Sequence, residues 1–240
     1  YGMRLPAGAR PSEWLRQEKG FVGRFSKTVV PVIFNEGLWA VGTTMYNVFY
    51  GRMGDAAVAT MGVCTTINDL VWVAIFALMN ATAIIVGKAL GAGDRERAYL
   101  YAKRMMAGAL AAGVALGVAV IAVRWPLVNI FSGLSYPVRD KAQFILLLGG
   151  MTIWFRAFNT INIVGVLRSG GDTLFSLCLD VGTLWLVSVT STGLAALVLH
   201  WPLEWVYACT FLEEAVKMAV GIPHFKKKQW MNVLTEQPQG

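Results

Sequence analysis

Residues Met105–Val123 read MMAGALAAGVALGVAVIAV, a stretch with no charged side chain. This run of apolar and small residues matches the roughly 20 helical residues that cross the hydrocarbon core of a bilayer. A transmembrane β-strand would instead alternate polar and apolar residues over about 10 positions, and this stretch does not alternate. It therefore predicts a transmembrane helix.

Five further apolar runs of similar or greater length surround it, with most charges gathered between them. The runs are Val29–Tyr50, Ala56–Gly87, Ala142–Leu167, Thr173–Leu199 and Trp205–Pro223. We therefore predict an all-α membrane protein with six transmembrane helices, at approximately residues 27–50, 56–90, 98–124, 140–168, 173–199 and 204–223. They form one lobe, 26–224, between a cytoplasmic linker, 1–25, and a basic cytoplasmic tail, 225–240.

The composition agrees with a membrane protein. Of the 240 residues, 56% are hydrophobic and only 15% are charged, whereas soluble domains carry about 25% charged residues. A disordered chain and a small disulfide scaffold are thereby excluded. Cys64, Cys178 and Cys209 all lie inside predicted spans and have no paired spacing, which favours packing over disulfides or a metal site.

The distribution of basic residues predicts the orientation. Lys and Arg in alternate loops and termini number 15 on one side and 4 on the other. The positive-inside rule then places both termini in the cytoplasm and the chain in the inner (plasma) membrane. The net charge of +7 follows from this topology, so we expect no nucleic-acid partner.

A few ionisable residues interrupt the apolar runs. Ionisable groups within a span are costly and mark functional sites by default. Glu36 and Asp180 each lie seven residues inside a helix that starts at the cytoplasmic side, so we expect both carboxyls roughly 10 Å below that surface. We predict that Glu36, Asp180 and the more central Asp69 couple to a proton or cation.

Polar residues share helix faces with these acids. Steps of three, four and seven residues place Glu36, Thr43 and Asn47 on one face, and Asp180 and Thr183 on another. We predict a wet interior lined by polar side chains: Asn35, Thr43, Asn47, Arg156, Asn159, Asn162 and Thr183. The alternative is that Arg156 is only a structural partner for Asp180 or Asp69.

Aromatic residues in the same helices suggest walls for a flat cation. These are Trp39, Tyr46, Trp154, Phe155 and Phe158. Gly113 and Gly117 form a GxxxG pattern, which predicts close helix packing. We expect no enzyme, since there is no GxSxG motif, no histidine-rich metal motif and no nucleotide loop in the right context.

Four segments, taken in order, resemble one known family of transporters. The turn GVLRSGGDT (Gly165–Thr173), in which we expect Asp172 to cap the next helix, is similar to a characteristic turn of the multidrug and toxic compound extrusion (MATE) transporters. The segments VPVIFNEGLWAVG (Val30–Gly42), VGKALGAGDRERAYLYAKR (Val86–Arg104) and FLEEAVKMAVGIPHFKKKQW (Phe211–Trp230) also resemble parts of their C-terminal lobe.

The resemblance implies half of a larger transporter. MATE transporters have twelve helices in two six-helix lobes, and they export cationic or amphipathic compounds in exchange for sodium ions or protons. The chain resembles the C-terminal lobe, so its implied partners are an N-terminal six-helix lobe, the bilayer and a small cationic or amphipathic substrate. The implied coupling ion is H+ or Na+, and no cofactor is expected.

The resemblance also assigns site residues. Glu36 matches an acid in the first helix of this lobe that is a cation ligand in the sodium-coupled branch. That branch has an aspartate in the fourth helix where this chain has Ala157, which leaves Asp180 as the second acid. The alternatives are a lipid-linked saccharide flippase, which would need a cationic cavity, and a structural lobe without an ion site.

Overall fold

The computed structural model of the chain describes residues 21–131 and 133–232, and every regular element in that part is helical. The helices are α1 (Phe21–Arg52), α2 (Asp55–Gly91), α3 (Arg95–Ile130), α4 (Tyr136–Thr160), α5 (Thr173–Thr183), α6 (Thr190–Gly193), α7 (Leu203–Cys209) and α8 (Leu212–Lys226). Three π-helical segments follow α4, α5 and α6, namely Ile161–Arg168, Leu184–Val189 and Leu194–Val198. Most of the predicted linker (1–20) and half of the predicted tail (233–240) lie outside the described residues.

The prediction of an all-α membrane protein is confirmed. Four described stretches are long and apolar enough to cross a membrane: α2, α3, Tyr136–Arg168 and Thr173–Val198. The helix α1 is not one of these four stretches. It has 32 residues and is therefore long enough to cross, but Asn35 and Glu36 make its centre less apolar.

The predicted sixth span is divided into α7 and α8. Between them, the amides of Thr210 and Phe211 donate to the carbonyls of Tyr207 and Ala208, three residues back, at 3.0 Å. The Thr210 hydroxyl also donates to the Tyr207 carbonyl at 2.7 Å. The backbone bonds at Thr210 and Phe211 thus follow the tighter three-residue pattern of a 3₁₀ turn, and the apolar run forms two helices at that point.

The helices α3 and α4 pack in direct backbone contact. A Cβ atom at Gly117 would collide with the carbonyl oxygen of Gly150, and one at Gly113 would lie 2.6 Å from the Cα of Trp154. The GxxxG pattern of α3 thus lies in the α3–α4 interface, as predicted. Helix α4 also packs against α2 and α8, and α1 packs against α5.

Two apolar clusters hold the bundle together. One surrounds Cys64, Ile145 and Leu146, which are almost completely buried. The other surrounds Trp230 and Leu167, which are fully buried near the turn after Arg168. This second cluster fixes the turn that carries Arg168 toward the first and fifth helices.

The segment after α8 folds back onto that turn. The Asn232 amide donates to the Gly170 carbonyl at 2.9 Å. A Cβ atom at Gly170 would collide with the Trp230 ring. The glycine of the turn therefore leaves room for the tryptophan.

Asp172 does not cap α5 with its side chain, contrary to the prediction. Its Oδ2 instead lies 2.6 Å from His224 Nε2, and the His224 ring stacks on Phe175 with centroids 3.5 Å apart. The carboxylate thus joins the start of α5 to the end of α8. At the α2–α3 turn, by contrast, Asp94 does cap its helix by accepting from the Arg97 amide at 2.9 Å.

Candidate functional site

The first predicted acid, Glu36, is ion-paired at the open surface of the lobe. Arg168 Nη1 donates to Glu36 Oε1 at 2.7 Å. The Glu36 side chain is 60% exposed, whereas that of Arg168 is only 12% exposed. Glu36 belongs to α1 and Arg168 ends the π-helical segment after α4, so this pair connects two elements that are distant in sequence.

The second predicted acid, Asp180, is buried and has three polar partners. Lys217 Nζ lies 2.8 Å from its Oδ1. The Asn35 amide donates to its Oδ2 at 3.1 Å, and Arg168 Nη2 lies 3.6 Å from the same oxygen. Glu36 and Asp180, which we predicted to lie at one depth, therefore share the guanidinium of Arg168.

A third carboxylate completes this group, which we call the Asp180 cluster: Glu36, Arg168, Asp180, Lys217 and Glu213. Glu213 Oε2 lies 3.8 Å from Lys217 Nζ, and both side chains are at least 90% buried. The cluster contains three carboxylates and two bases. When all are ionised, it carries one negative charge without a partner inside the cluster, and Glu36 is its most exposed member.

A second buried group surrounds Arg156. Its Nε lies 3.7 Å from Glu214 Oε1, and its guanidinium lies 5.0 Å from the centroid of the Phe211 ring. The Asn159 amide donates to Glu214 Oε2 at 2.8 Å. In the structure the acid that pairs with Arg156 is thus Glu214. The alternative considered from the sequence, a pair with Asp180 or Asp69, is not the one observed.

A short hydrogen-bond chain joins α1 to the break between α7 and α8. The Tyr46 hydroxyl donates to Ser188 Oγ at 2.6 Å, and Ser188 Oγ donates to the Thr210 carbonyl at 3.5 Å. Arg156 Nη2 donates to Thr210 Oγ1 at 3.4 Å. Tyr46, predicted as an aromatic wall, is thus a polar link between α1 and the last helices.

The other predicted polar residues lie in different environments. Asp69 and Asn47 are exposed and lie outside both groups. The hydroxyls of Thr43 and Thr183 donate to carbonyls within their own helices. Asn162 is completely buried, and neither its amide nitrogen nor its oxygen has a hydrogen-bond partner among the described residues.

The predicted aromatic residues also differ in their exposure and in their contacts. Trp39 is 45% exposed on α1, whereas Phe158 is 9% exposed and packs in the apolar cluster around Trp230. The rings of Trp154 and Phe155 lie against each other, tilted by 32°, with centroids 3.6 Å apart. Of these residues, Trp39 is the one that presents a ring at the surface near Glu36.

Four residues of these groups were not predicted as site residues. Glu213, Glu214 and Lys217 interrupt the sixth apolar run at positions i, i+1 and i+4. That spacing places Glu213 and Lys217 on one helix face, which is a detectable signal within a membrane span. The sequence places Arg168 in a turn, and only the structure shows that its side chain extends toward α1 and α5.

Comparison with known proteins agrees with this architecture. A family model described as MatE matches residues 31–192. A search of curated proteins found no significant match.

Several solved structures share the fold. A multidrug resistance MATE family transporter of the MOP superfamily, in an outward-facing conformation, superimposes with a TM-score of 0.79 at 15% identity, covering 95% of this chain and 49% of that one. A mutant of the Vibrio cholerae MATE transporter VcmN gives 0.78 at 19% identity, covering 87% and 47%. A MOP superfamily transporter from Pyrococcus furiosus gives 0.74 at 15% identity, covering 92% and 48%.

That last transporter is described as having a binding pocket of reverse polarity, which suggests a different function for it. The present chain spans about half the length of each of these structures.

Proposed function

The chain belongs to the MatE family of membrane transporters, and on that premise we propose that it is one lobe of a secondary active antiporter. The cargo is a small cationic or amphipathic compound, and the driving ion is a proton or a sodium ion that enters the cell. The partner is a second six-helix lobe. Both termini of this chain are cytoplasmic, and the protein resides in the inner (plasma) membrane.

The observation that carries the proposal is the excess of carboxylates in the Asp180 cluster. Three acids share two bases, and Glu36 is the member of the cluster that opens to the lobe surface. Because charges within a bilayer are costly when unpaired, this arrangement favours uptake of one positive charge. A proton or a monovalent cation at Glu36 would bring the cluster to neutrality.

Uptake at Glu36 also has a mechanical consequence. When Glu36 is neutralised, it no longer holds Arg168, and the guanidinium is left with Asp180 as its carboxylate partner. The ion pair between α1 and the π-helical segment after α4 is then lost. Helix α1 contains Pro31 five residues before Glu36, and an internal proline removes one backbone hydrogen bond. We therefore propose that ion uptake releases α1 for the rearrangement that exposes the cargo site alternately to each side.

Trp39 supplies a surface for the cargo in this proposal. It lies three residues from Glu36 on α1 and is 45% exposed. A flat organic cation would stack on the indole and be attracted by the ionised carboxylate of Glu36. The ion and the cargo would thus compete for one negative charge, which is the requirement for exchange.

The saccharide flippase is less well supported. A cavity for a lipid-linked anion needs cations without partners, but Arg156, Arg168 and Lys217 each lie within 4.0 Å of a carboxylate. These three cations, which lie within the packed bundle, are therefore neutralised by neighbouring acids.

The proposal is tested with the complete transporter in proteoliposomes, by following the movement of a fluorescent organic cation under a proton or a sodium gradient. We expect one gradient to drive transport in the wild type and neither to do so in Glu36→Gln, with unchanged expression. The matched comparison is Asp69→Asn, which removes an exposed acid outside the cluster. Wild-type transport by Glu36→Gln would remove Glu36 from the mechanism, and loss of transport only in Asp69→Asn would move the exchange site to α2.

A further inference from the structure

A groove lies between the last turns of α2 and the first three turns of α3, and it shares no lining residue with the Asp180 cluster. Its volume is about 740 Å³. Three cationic side chains line it: Lys88 from α2, and Arg97 and Arg104 from α3. The side chains of Ile85, Tyr101 and Met105 form its apolar part.

Helix geometry explains why these side chains converge. Ile85 and Lys88 are three residues apart on α2, and Arg97, Tyr101 and Arg104 follow steps of four and three on α3. Such steps place residues on one helix face. The short turn at Gly93 brings the two faces together, so the groove is a fixed consequence of the α2–α3 hairpin.

The groove is strongly positive. Its acid, Asp94, is already engaged, since Oδ1 accepts from the Arg97 amide and Oδ2 lies 3.1 Å from Arg97 Nε. Neither Lys88 nor Arg104 forms an ion pair with a carboxylate among the described residues. At least two cations therefore face the groove without a neutralising partner from the part of the chain that the structure describes.

The groove also lies at the expected edge of the hydrocarbon core. The apolar run of α2 ends at Gly87, immediately before Lys88, and the uncharged stretch of α3 begins at Met105, immediately after Arg104. Arg97 is seven residues from Arg104, which is roughly 10 Å along the helix. The headgroup layer of a bilayer is about 5–8 Å thick on each side, so the three cations extend through that layer.

From this charge and this position we propose that the groove binds an anionic phospholipid. The headgroup phosphate pairs with Lys88, Arg97 and Arg104, and one acyl chain lies along Ile85 and Met105 toward the bilayer centre. Tyr101 lies between the two regions, as tyrosine commonly does at a membrane interface. Basic pockets between membrane helices are suited to such headgroups. The site is independent of the exchange proposed at Glu36.

The test is a lipid titration of the purified complete transporter, read by native mass spectrometry. The probes are phosphatidylglycerol, phosphatidylcholine with the same acyl chains, and soluble glycerol phosphate. We expect phosphatidylglycerol to bind at least about tenfold more tightly than phosphatidylcholine, since each cation near the headgroups contributes about fivefold. Glycerol phosphate should not compete at the same concentration, because it has no acyl chain.

The variant Lys88→Gln/Arg97→Gln/Arg104→Gln should bind both lipids equally. The matched control Lys103→Gln/Lys226→Gln/Lys227→Gln removes three exposed cations that do not line the groove, and it should bind as the wild type does. If the triple variant does not fold, the single variant Arg104→Gln replaces it, with an expected loss of about fivefold in affinity for phosphatidylglycerol. Equal binding of the two lipids by the wild type, equal losses in variant and control, or competition by glycerol phosphate would overturn the proposal.

Discussion

Lys217 Nζ lies 2.8 Å from Asp180 Oδ1, and both side chains are buried within the bundle. The ammonium group occupies the position in which a dissolved cation would bind this carboxylate. Asp180 is therefore supplied with a cation that belongs to the protein itself. This leaves Glu36, at the exposed end of the same cluster, as the carboxylate that an external ion can reach.

Replacing Lys217 tests whether its ammonium group is the cation that Asp180 requires. The variant Lys217→Met leaves Asp180 buried without its closest cation, and breaking a buried pair in this way costs about 3–5 kcal/mol. We expect a lower thermal unfolding temperature of the purified transporter, with much of the loss restored in Lys217→Met/Asp180→Asn. Lys226→Met, which removes an exposed lysine, should have little effect.

The same variant tests whether the lysine replaces an ion. Sodium chloride should raise the unfolding temperature of Lys217→Met more than choline chloride does, since the freed carboxylate can bind sodium. The difference between the two salts should be smaller in the wild type, in which Lys217 already pairs with Asp180. If Lys217→Met unfolds at the wild-type temperature, the ammonium is not a required partner of Asp180.

The sequence was sufficient to predict the helices and part of the site. Long apolar runs leave few alternatives to transmembrane helices, and equal positions in two helices starting on one side predicted that Glu36 and Asp180 would lie at one depth. Both acids contact Arg168 in the structure. The small residues Gly113 and Gly117 also predicted a close helix contact without reference to a partner.

The pairings could not be predicted, because they depend on neighbouring helices and on changes of helix type. Asn159, in α4, donates a hydrogen bond to Glu214. Asn162, three residues later, lies in the π-helical segment Ile161–Arg168. A π-helix has a different residue spacing from an α-helix, so positions beyond Thr160 do not continue the face that the α-helical period predicts. Arg168, at the end of that segment, is therefore directed toward α1 and α5.

The contact between Gly117 and Gly150 predicts a steric cost for a larger residue. Gly117→Ala places a Cβ atom against the Gly150 carbonyl oxygen, and overpacking of this kind typically costs about 1–3 kcal/mol. We expect a lower unfolding temperature. Gly108→Ala in the same helix has open space around the new methyl group and should unfold as the wild type does. Equal unfolding temperatures of the two variants would show that α3 and α4 can move apart without a cost in stability.

The turn after Arg168 predicts a second steric effect. In Gly170→Ala the new methyl group collides with the Trp230 ring and lies 2.5 Å from the Trp230 carbonyl oxygen. The segment after α8 must then move away, so we expect faster protease cleavage near Trp230 together with a lower unfolding temperature. Ser169→Gly, a change at the adjacent position, should leave cleavage unchanged. Cleavage of Gly170→Ala at the wild-type rate would mean that Trp230 is not held by the turn.

Arg168 should be required for exchange because it joins the two acids. In Arg168→Gln the exposed Glu36 and the buried Asp180 both lose a shared cation, so ion uptake at Glu36 no longer alters the partner of Asp180. We expect at least about a tenfold lower rate of ion-driven transport in proteoliposomes, a loss of roughly 1.4 kcal/mol in the coupling step. Arg168→Lys keeps the charge but has no planar fork to contact two carboxylates at once, so it should recover part of the rate. As a control, size-exclusion profiles must show equal amounts of folded wild type, Arg168→Gln and Arg168→Lys. Full transport by folded Arg168→Gln would mean that Glu36 exchanges its ion without Asp180, and the two acids would then belong to separate functions.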